Sequence, residues 1–524
     1  MLSRRELLAA FLGAPFAAIA CSRSEQIALP PGEIAGASDS VGHRLREPIR
    51  ESPAEWSDVD VVIVGAGVAG LAAAWRLNRN ALVLELEEVA GGTARSGSSP
   101  VSRYPWGAHY VVAPMAEDVT LIKLLREMSI IDSAGEIGEQ YLVRDPQERL
   151  FYRGRWYEGL YLAAGATDDD LRQFRAFERE MARWSAWRDA KGRRAFAIPT
   201  SLSSDDAEVL ALDRMSMRQW LDQRGWHSPR LRWYVEYACR DDYGALLDDT
   251  SAWAGIFYFA SRIETPGRRS EPMITFPEGN GRLIAHLAKS AKIDTGWLVT
   301  SLIPTGHGVD VVAMSRDGRH LRGIHAEHVI LAAPQFIAAR VVRGFDRDVS
   351  DFTYGSWLVA NLTLRGRPES TGFPLAWDNV MYDSPSLGYV VATHQSDVDY
   401  GATVLTYYYA FTDRDPHVAR RRLLSAGRDQ WAEVVLADLS RAHPDIRKLT
   451  ERLDIMRWGH AMIRPHPGFI GNPTRARARQ PFRNIHFANC DLSGVALFEE
   501  SLDHGVRAAE EVLEGSGRLV RSVR

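Results

Sequence analysis

A glycine-rich segment carries the clearest chemical signal in this sequence. Its residues are Gly65-Ala66-Gly67-Val68-Ala69-Gly70. Gly65 permits a tight turn, Gly67 lets the backbone approach a diphosphate, and Gly70 lets a helix pack closely on a strand. Glu85, 20 residues after Gly65, can accept hydrogen bonds from ribose hydroxyls, and its charge repels a 2′-phosphate. The spacing therefore predicts a dinucleotide site and disfavours NADP.

The flanking residues predict the elements that would hold this segment. Residues 59–64 are a β-rich apolar run, which is typical of a buried parallel strand. Residues 71–77 continue as a helix, and residues 81–86 form a second strand that contains Glu85. Backbone amides at the start of the helix would face the diphosphate, because the helix dipole favours negative charge there.

A second pair of glycines, Gly91 and Gly92, follows Glu85. Adjacent glycines let the chain pass close to a ligand, although a generic turn would also explain them. The order of acid and glycine pair resembles the FAD signature of the flavin amine oxidase and phytoene desaturase superfamily. The resemblance implies that FAD is bound and that Arg95 meets its diphosphate. The family places arginine directly after the second glycine, where this chain has Thr93.

Later segments resemble the same superfamily in the same order. The resemblance implies that main-chain groups of Val299 hold the adenine and that Asp491 binds the ribityl–diphosphate region. It also implies a final helix whose first turn faces the flavin. We expect Glu499 and Glu500 to be first-turn residues favoured by the dipole of this helix. Cys490 falls on the diphosphate side of the match, so we expect FAD to be bound non-covalently.

Two stretches resemble family segments that line the substrate cavity. The first, residues 104–110, contains His109 and Tyr110, which become our candidates for catalysis or substrate binding. A structural role for the histidine is the alternative. The second stretch, residues 458–465, contributes Trp458 as a third candidate.

Two positions depart from many amine oxidases of the superfamily. Val359 stands where they carry a lysine that holds a water near flavin N5, and Leu497 stands where they carry half of an aromatic amine cage. The resemblance implies an FAD-dependent oxidoreductase that passes hydride from an amine or related substrate to flavin, with O2 or another electron acceptor. Two alternatives stay open: a desaturase or isomerase of a lipid-like or polyene substrate, and a non-catalytic FAD-binding electron carrier of the envelope.

The first 21 residues predict export. Arg4 and Arg5 precede an apolar run that is too short to span a bilayer. The start resembles a twin-arginine signal, and residues 18–21 resemble a lipoprotein cleavage box that ends at Cys21, with an ordinary cleaved leader as the alternative. We expect a periplasmic or membrane-anchored lipoprotein that uses the twin-arginine export machinery. Residues 22–56 are rich in Ser, Gly, Pro and charge, which predicts a flexible linker.

The amino-acid composition narrows the classes of protein to which this chain can belong. The 524 residues are 45% hydrophobic and 25% charged, with a net charge of −4, which is typical of a globular protein. No long basic stretch indicates a nucleic-acid partner. Three cysteines cannot form a disulfide framework or a four-thiolate metal site. Prolines break the helical spacing between His460 and His466, and no carboxylate or thiolate joins them, so we expect no metal site.

Together these patterns predict an α/β fold with two domains. A Rossmann-like FAD-binding domain is expected from three discontinuous segments, residues 57–110, 270–340 and 450–515. The intervening residues 111–269 and 341–449 are expected to form an α+β substrate domain.

Overall fold

A computed structural model describes residues 28–36, 38–47, 52–77, 81–264, 267–396 and 398–515. The predicted signal, residues 1–21 with Cys21, lies outside these residues, so export and lipidation stay predictions. Within the described ranges, no helix has the length and apolar character needed to cross a membrane.

The described chain contains both helices and strands. The strands are β1 (Ile34–Ala35), β2 (Trp56–Val64), β3 (Ala81–Glu85), β4 (Ser96–Ser98), β5 (Arg103–Pro105), β6 (Tyr110–Val112), β7 (Glu148–Tyr152), β8 (Arg155–Glu158), β9 (Met273–Thr275), β10 (Lys292–Thr295), β11 (Trp297–Pro304), β12 (Val309–Ser315), β13 (Leu321–Leu331), β14 (Tyr354–Leu364), β15 (Asp378–Met381), β16 (Gly388–Val391), β17 (Thr403–Phe411), β18 (Thr450–Ile463) and β19 (Ile485–Phe487). The α-helices are α1 (Asp39–Gly42), α2 (Val68–Leu77), α3 (Val119–Glu127), α4 (Asp168–Ala186), α5 (Ala207–Ala211), α6 (Met217–Gln223), α7 (Pro229–Tyr243), α8 (Ala252–Ala260), α9 (Gly281–Leu287), α10 (Gln335–Val341), α11 (Pro416–Ser425), α12 (Arg428–Leu439), α13 (Ile446–Leu449), α14 (Pro473–Ala478) and α15 (Phe498–Gly515).

The first large sheet contains the strands on either side of the glycine-rich segment. Its strand order is β10-β3-β2-β13-β12-β11, and β19 pairs with β13. The pairs β10/β3, β3/β2, β2/β13 and β13/β19 are parallel, whereas β11, β12 and β13 form an antiparallel meander. The last four residues of β2 are buried, as a central parallel strand requires. The expected Rossmann-like domain, assembled from separate stretches of chain, is confirmed.

The second large sheet draws most of its strands from the segments predicted to form the substrate domain, and it corrects one predicted boundary. Its order is β1-β18-β14-β17-β16-β15-β7-β8. β18 pairs antiparallel with β14 between Tyr354 and Leu364, so residues 450–463 belong to this sheet and not to the FAD-binding domain. Residues 458–465 resemble a family segment that lines the substrate cavity, but resemblance in sequence does not decide which sheet supplies the hydrogen bonds of a strand.

Residues 28–36 and 38–47, expected to lie in a flexible linker, pack on the folded protein. β1 pairs in parallel with β18, joining Ile34 to Ile455. The backbone N–H and the hydroxyl of Ser38 donate to the Glu87 carboxylate at 2.7 and 3.0 Å. The linker expectation is wrong for these residues, because polar composition does not reveal pairing with a distant strand. These two ranges are called the N-terminal arm below.

Helices α2 and α15 pack together on the first sheet. Both are rich in small residues, and Gly505 of α15 lies directly against α2. A Cβ atom at position 505 would be 2.2 Å from the carbonyl oxygen of Ala69 and 2.7 Å from the Cβ of Ala72. The predicted final helix is confirmed, with its apolar side chains Leu502, Val506 and Leu513 buried. This contact sets how closely the two helices approach each other.

Gly505→Ala should therefore destabilise the protein, by about 1–3 kcal/mol, because the added methyl group forces the helices apart. Urea denaturation followed by tryptophan fluorescence would measure the change. Gly515→Ala is the matched control in the same helix, since a Cβ there lies 3.7 Å from its nearest neighbour, a carbon of His328. Equal midpoints for Gly505→Ala and the wild-type protein would contradict the proposed helix contact.

Candidate active site

The glycine loop between β2 and α2 leaves one face open to a ligand. Gly65 has a φ of +101°, and a Cβ atom on Gly70 would lie 1.9 Å from the Gly65 carbonyl oxygen, so the chain itself requires both glycines. Gly67 differs, because a Cβ there would meet no atom of the described residues within 4 Å. The fold therefore keeps free space beside Gly67, which the approach of a diphosphate requires.

The second glycine pair closes onto this loop. The Gly91 N–H donates to the carbonyl oxygen of Ala66 at 2.8 Å, and a Cβ atom on Gly92 would lie 3.4 Å from the Cα of Gly67. The φ values of Gly91 and Gly92 are +123° and +55°, a region that favours glycine. The two halves of the predicted dinucleotide signature thus face each other.

Glu85 ties the glycine loop to the end of β3. Its carboxylate accepts hydrogen bonds from the backbone N–H groups of Ala66, at 2.7 Å, and Glu87, at 2.9 Å. Burial raises the pKa of Glu85, and the two backbone donors oppose this shift. Each carboxylate oxygen retains a second acceptor position, so Glu85 can order the loop and also accept a ribose hydroxyl.

Arg95 faces the N-terminal arm and β18. Its Nη2 donates to the carbonyl oxygen of Gly36 at 3.0 Å and lies 3.4 Å from the sulfur of Met456. The guanidinium carbon is 5.1 Å from the ring centre of Trp458. The structure places Arg95 between the arm and an aromatic wall, while its contact with a diphosphate stays a prediction.

Asp491 is buried beside α10, and Val299 lies in β11. Oδ2 of Asp491 accepts from the N–H of Gln335 at 2.8 Å and from the hydroxyl of Tyr354 at 2.7 Å. Its Oδ1 is buried without a partner among the described residues, and burial raises the pKa of Asp491 to about 6. A buried acceptor of this kind can receive a ribityl hydroxyl. Val299 pairs with Ala313 next to a register irregularity in the strand ladder.

A cavity extends from the glycine loop to the second sheet. It holds about 1050 Å³, its open mouth included. Its lining includes Val68 and Phe498, the first residues of α2 and α15. It also includes Thr93, His109, Tyr110, Trp357, Tyr408 and Trp458. Two helix amino termini thus lie at one cavity, an arrangement that stabilises negative charge.

All three predicted catalytic candidates line this cavity. The His109 imidazole stacks on the ring of Tyr408 with centroids 5.0 Å apart, and its Nδ1 lies 3.2 Å from a backbone carbonyl oxygen. Burial lowers the pKa of His109 to about 4, so the ring is neutral at neutral pH. Trp458 donates its indole N–H to the carbonyl of Trp106 at 2.7 Å. Tyr110 stands at the border of a second cavity.

Two adjacent carboxylates that the sequence analysis did not single out also line the cavity. Asp242 pairs with Arg262 at 2.7 Å, whereas Asp241 meets the hydroxyl of Tyr258 at 3.5 Å. Burial raises the pKa of both carboxyls. In the sequence, these two residues appear only as adjacent acids near the end of helix α7. The tertiary structure was needed to show that they line the cavity.

Glu499 and Asn280 add polar groups to the cavity wall. Glu499 accepts a backbone N–H at 3.3 Å, and burial raises its pKa to about 7. Asn280 donates to the carbonyl oxygen of Tyr110 at 2.9 Å, and its buried Oδ1 has no partner within the described ranges. Glu500 instead accepts hydrogen bonds from Thr200 at 2.6 and 2.8 Å. The two predicted first-turn acids therefore have different surroundings.

A second cavity meets the first at Tyr110 and Arg262. It holds about 2430 Å³, its open mouth included, and its lining is rich in aromatic side chains: Tyr161, Tyr234, Tyr237, Tyr258 and Phe259. Glu148 also faces it, and burial raises the pKa of Glu148 to about 7. The two cavities therefore share part of their walls.

Residues 68–513 match the family described as flavin containing amine oxidoreductase. The chain belongs to this family. It is accordingly an FAD-dependent oxidoreductase, and the open face at Gly67 together with the unpartnered oxygens of Asn280 and Asp491 fits a bound flavin dinucleotide.

Individual relatives are distant in sequence. Oxidoreductase PigB of Serratia sp. (strain ATCC 39006) is 23% identical over 288 residues, which span 51% of this chain and 41% of PigB. A triple mutant of putrescine oxidase is 14% identical with a TM-score of 0.62, and cyclohexylamine oxidase from Brevibacterium oxydans IH-35A is 17% identical with a TM-score of 0.62. Each structural match covers 88% of this chain and 100% of the other chain. These structures share the fold of this chain.

The two departures from the amine oxidase pattern both lie in the cavity wall. Val359, where many amine oxidases carry lysine, is buried in β14, and Leu497 precedes α15. Both positions therefore present hydrocarbon to the cavity of this flavin amine oxidoreductase.

Gly67→Val should remove FAD without destabilising the apoprotein, because the new side chain projects into the space that the fold leaves open. Absorbance near 450 nm per mole of desalted protein would report bound flavin, and thermal unfolding of the apoprotein would report stability. Gly306→Val is the control, since a Cβ at this loop position also meets no described atom within 4 Å. Full flavin content in Gly67→Val would contradict this assignment.

Proposed function

We propose that this protein oxidises a cationic amine, with FAD bound non-covalently along the cleft beside Gly67. The observation that carries the proposal is the position of Asp241, a carboxylate that lines the first cavity together with several aromatic side chains. Bound FAD supplies a hydride acceptor for a C–H bond next to nitrogen. The residues of this chain bind the substrate, adjust its protonation and exclude water.

The charges in the cavity favour a cation. Arg262 is held by Asp242 at 2.7 Å, so the positive charge there is already matched. Asp241 and Glu499 add further carboxyl groups to the same wall. An ammonium group that enters the cavity can therefore pair with Asp241, and the low local dielectric strengthens that pairing.

Asp241 can also accept the proton that must leave the ammonium before oxidation. Burial raises the pKa of this carboxyl, with the charge of Asp242 adding to the shift. A carboxylate with a raised pKa is a better base near neutral pH than an exposed aspartate. Transfer of one proton from the ammonium to Asp241 leaves a neutral amine, whose lone pair assists loss of hydride from the adjacent carbon.

Aromatic side chains form the part of the wall that would position the reacting carbon. His109 stacks on Tyr408 and lies 5.4 Å from the ring centroid of Trp377. Because burial lowers the pKa of His109 to about 4, the neutral imidazole adds no positive charge that would repel the substrate. These rings exclude water and so protect an imine product from hydrolysis within the cavity.

Cys490 supports non-covalent binding. Its side chain lines the cavity, but burial raises the pKa of the thiol to about 12. The thiol is therefore protonated at neutral pH and is a poor nucleophile.

A second candidate is desaturation or isomerisation of a lipid-like substrate. Val359 favours it, because the cavity wall is hydrocarbon where many amine oxidases carry lysine. Trp357, Met462 and Leu497 extend this apolar surface. A polyene would use the apolar surface, whereas an amine would use Asp241.

Anaerobic mixing of the FAD-loaded protein with a panel of amines and polyenes would decide between the two candidate functions. We expect amines to bleach the flavin absorbance of the wild-type protein, and Asp241→Asn to slow bleaching at least about ten-fold, because it loses a charge-assisted contact. Asp248→Asn, at a side chain 61% exposed on the surface, should behave as wild type. Bleaching by polyenes alone would support the second candidate, and unchanged rates in Asp241→Asn would remove Asp241 from the reaction.

His109→Gln should slow flavin reduction while FAD stays bound, because it removes a ring that stacks in the cavity wall. Since the pKa of His109 is lowered to about 4, its protonation does not change between about pH 5.5 and 8. Stopped-flow reduction rates across that range should therefore give the same profile shape for both proteins, displaced to lower rates in the variant. Loss of a neutral-pH inflection in His109→Gln would instead identify the imidazole as the base.

A further inference from the structure

A third cavity shares no lining residue with the first cavity and is surrounded by basic side chains. It lies between the N-terminal arm, α10, α11 and β18 and holds about 840 Å³, its open mouth included. Its basic residues are His43, Arg46, Arg340, His417, Arg420 and His460. Neither the glycine loop nor any residue of the first cavity lines it.

No described carboxylate lines this basic cavity. Within the described ranges, Arg46, Arg340 and Arg420 also form no ion pair within 4.0 Å. Asp39 and Asp415 are the described acids that influence His43 and Arg420 from outside the lining. Three guanidinium groups therefore share one cavity without a matching negative charge.

The inner wall of the cavity contains an unused hydrogen-bonding atom. The His460 ring stacks on Phe336 with centroids 4.3 Å apart, and its buried Nδ1 has no partner in the described part of the chain. Burial and the charges of Arg420 and His43 lower the pKa of His460 to about 3. The crowding of positive charge that lowers this pKa is the condition that a bound anion relieves.

We propose that this basic cavity binds a phosphate-type oxyanion. Arginine matches the geometry of phosphate oxygens and can bind them through two parallel hydrogen bonds. Three arginines favour a ligand that carries more than one negative charge. Phosphate meets this condition, whereas a single carboxylate does not. The arm supplies two of the six basic side chains, so its packing on the folded protein completes the site.

Tyr354 links this cavity to the turn that precedes α15. Tyr354 lines the cavity, and its hydroxyl donates to Asp491 at 2.7 Å. Because the diphosphate of the dinucleotide is assigned to the cleft beside Gly67, we expect a separate phosphate-containing molecule in the basic cavity, and binding of the dinucleotide diphosphate there is the alternative outcome of the test. The chemistry of recognition is the same in both cases.

Binding of inorganic phosphate to the purified protein tests this proposal. Isothermal titration calorimetry at constant ionic strength, with chloride as the reference anion, should detect phosphate binding to the wild-type protein. Arg340→Gln should weaken it at least about ten-fold, and this exposed side chain can be changed without disturbing the core. Arg46→Gln is a second variant from the arm. Arg319→Gln, at a side chain 81% exposed elsewhere, should bind as wild type.

Apoprotein and FAD-loaded protein distinguish the two sources. Phosphate binding to the apoprotein that FAD abolishes would identify the dinucleotide diphosphate as the ligand. Equal binding to both forms would identify a separate ligand, and either result supports the oxyanion site. The proposal is overturned if neither form binds phosphate in preference to chloride, or if Arg340→Gln and Arg46→Gln both bind it as tightly as wild type while their unfolding temperatures in chloride remain normal.

Discussion

The close contact between α2 and α15 is the constraint on which the site depends. Gly505 lies so near α2 that a single methyl group would meet the Ala69 carbonyl oxygen at 2.2 Å. This approach brings the first residues of both helices, Val68 and Phe498, to one cavity. Two positive helix ends then lie at a single cavity, although their sequences are more than 400 residues apart. Without the contact, the glycine loop and the carboxyl-terminal helix would form separate surfaces.

The first cavity and the basic cavity differ in the charges of the side chains that line them. The first cavity carries Asp241, Asp242 and Glu499 against a single lining arginine, Arg262, among the described residues. The basic cavity carries arginines and histidines without a lining carboxylate. The carboxylates of the first cavity therefore favour a cationic group, and the arginines of the basic cavity favour a phosphate group.

The N-terminal arm connects these features. It pairs with β18 through Ile34, accepts a hydrogen bond from Arg95 at Gly36, and hydrogen-bonds Glu87 through Ser38. It thereby links the second sheet to the end of β3, where the predicted ribose-binding acid lies. A segment rich in polar residues can pack in this way because its backbone groups pair with a distant strand and a few apolar side chains, among them Ile34 and Val41, pack against the folded protein.

The sequence by itself determined the dinucleotide loop, the family and the final helix. The roles of Gly65, Gly67 and Gly70 could be predicted from the sequence, because each glycine meets a local steric requirement that the spacing of the motif indicates. His109, Tyr110 and Trp458 were found through resemblance, and the structure brings all three to one cavity.

Only the tertiary structure decided which residues from distant segments share a wall. Asp241 lies in a helix whose sequence does not show which face meets the cavity, and the basic cavity combines residues from four elements. The position of β18 in the second sheet and the packing of the arm were likewise missed. The physical reason is that hydrogen bonding and burial between segments far apart in the chain leave no regular spacing in either segment.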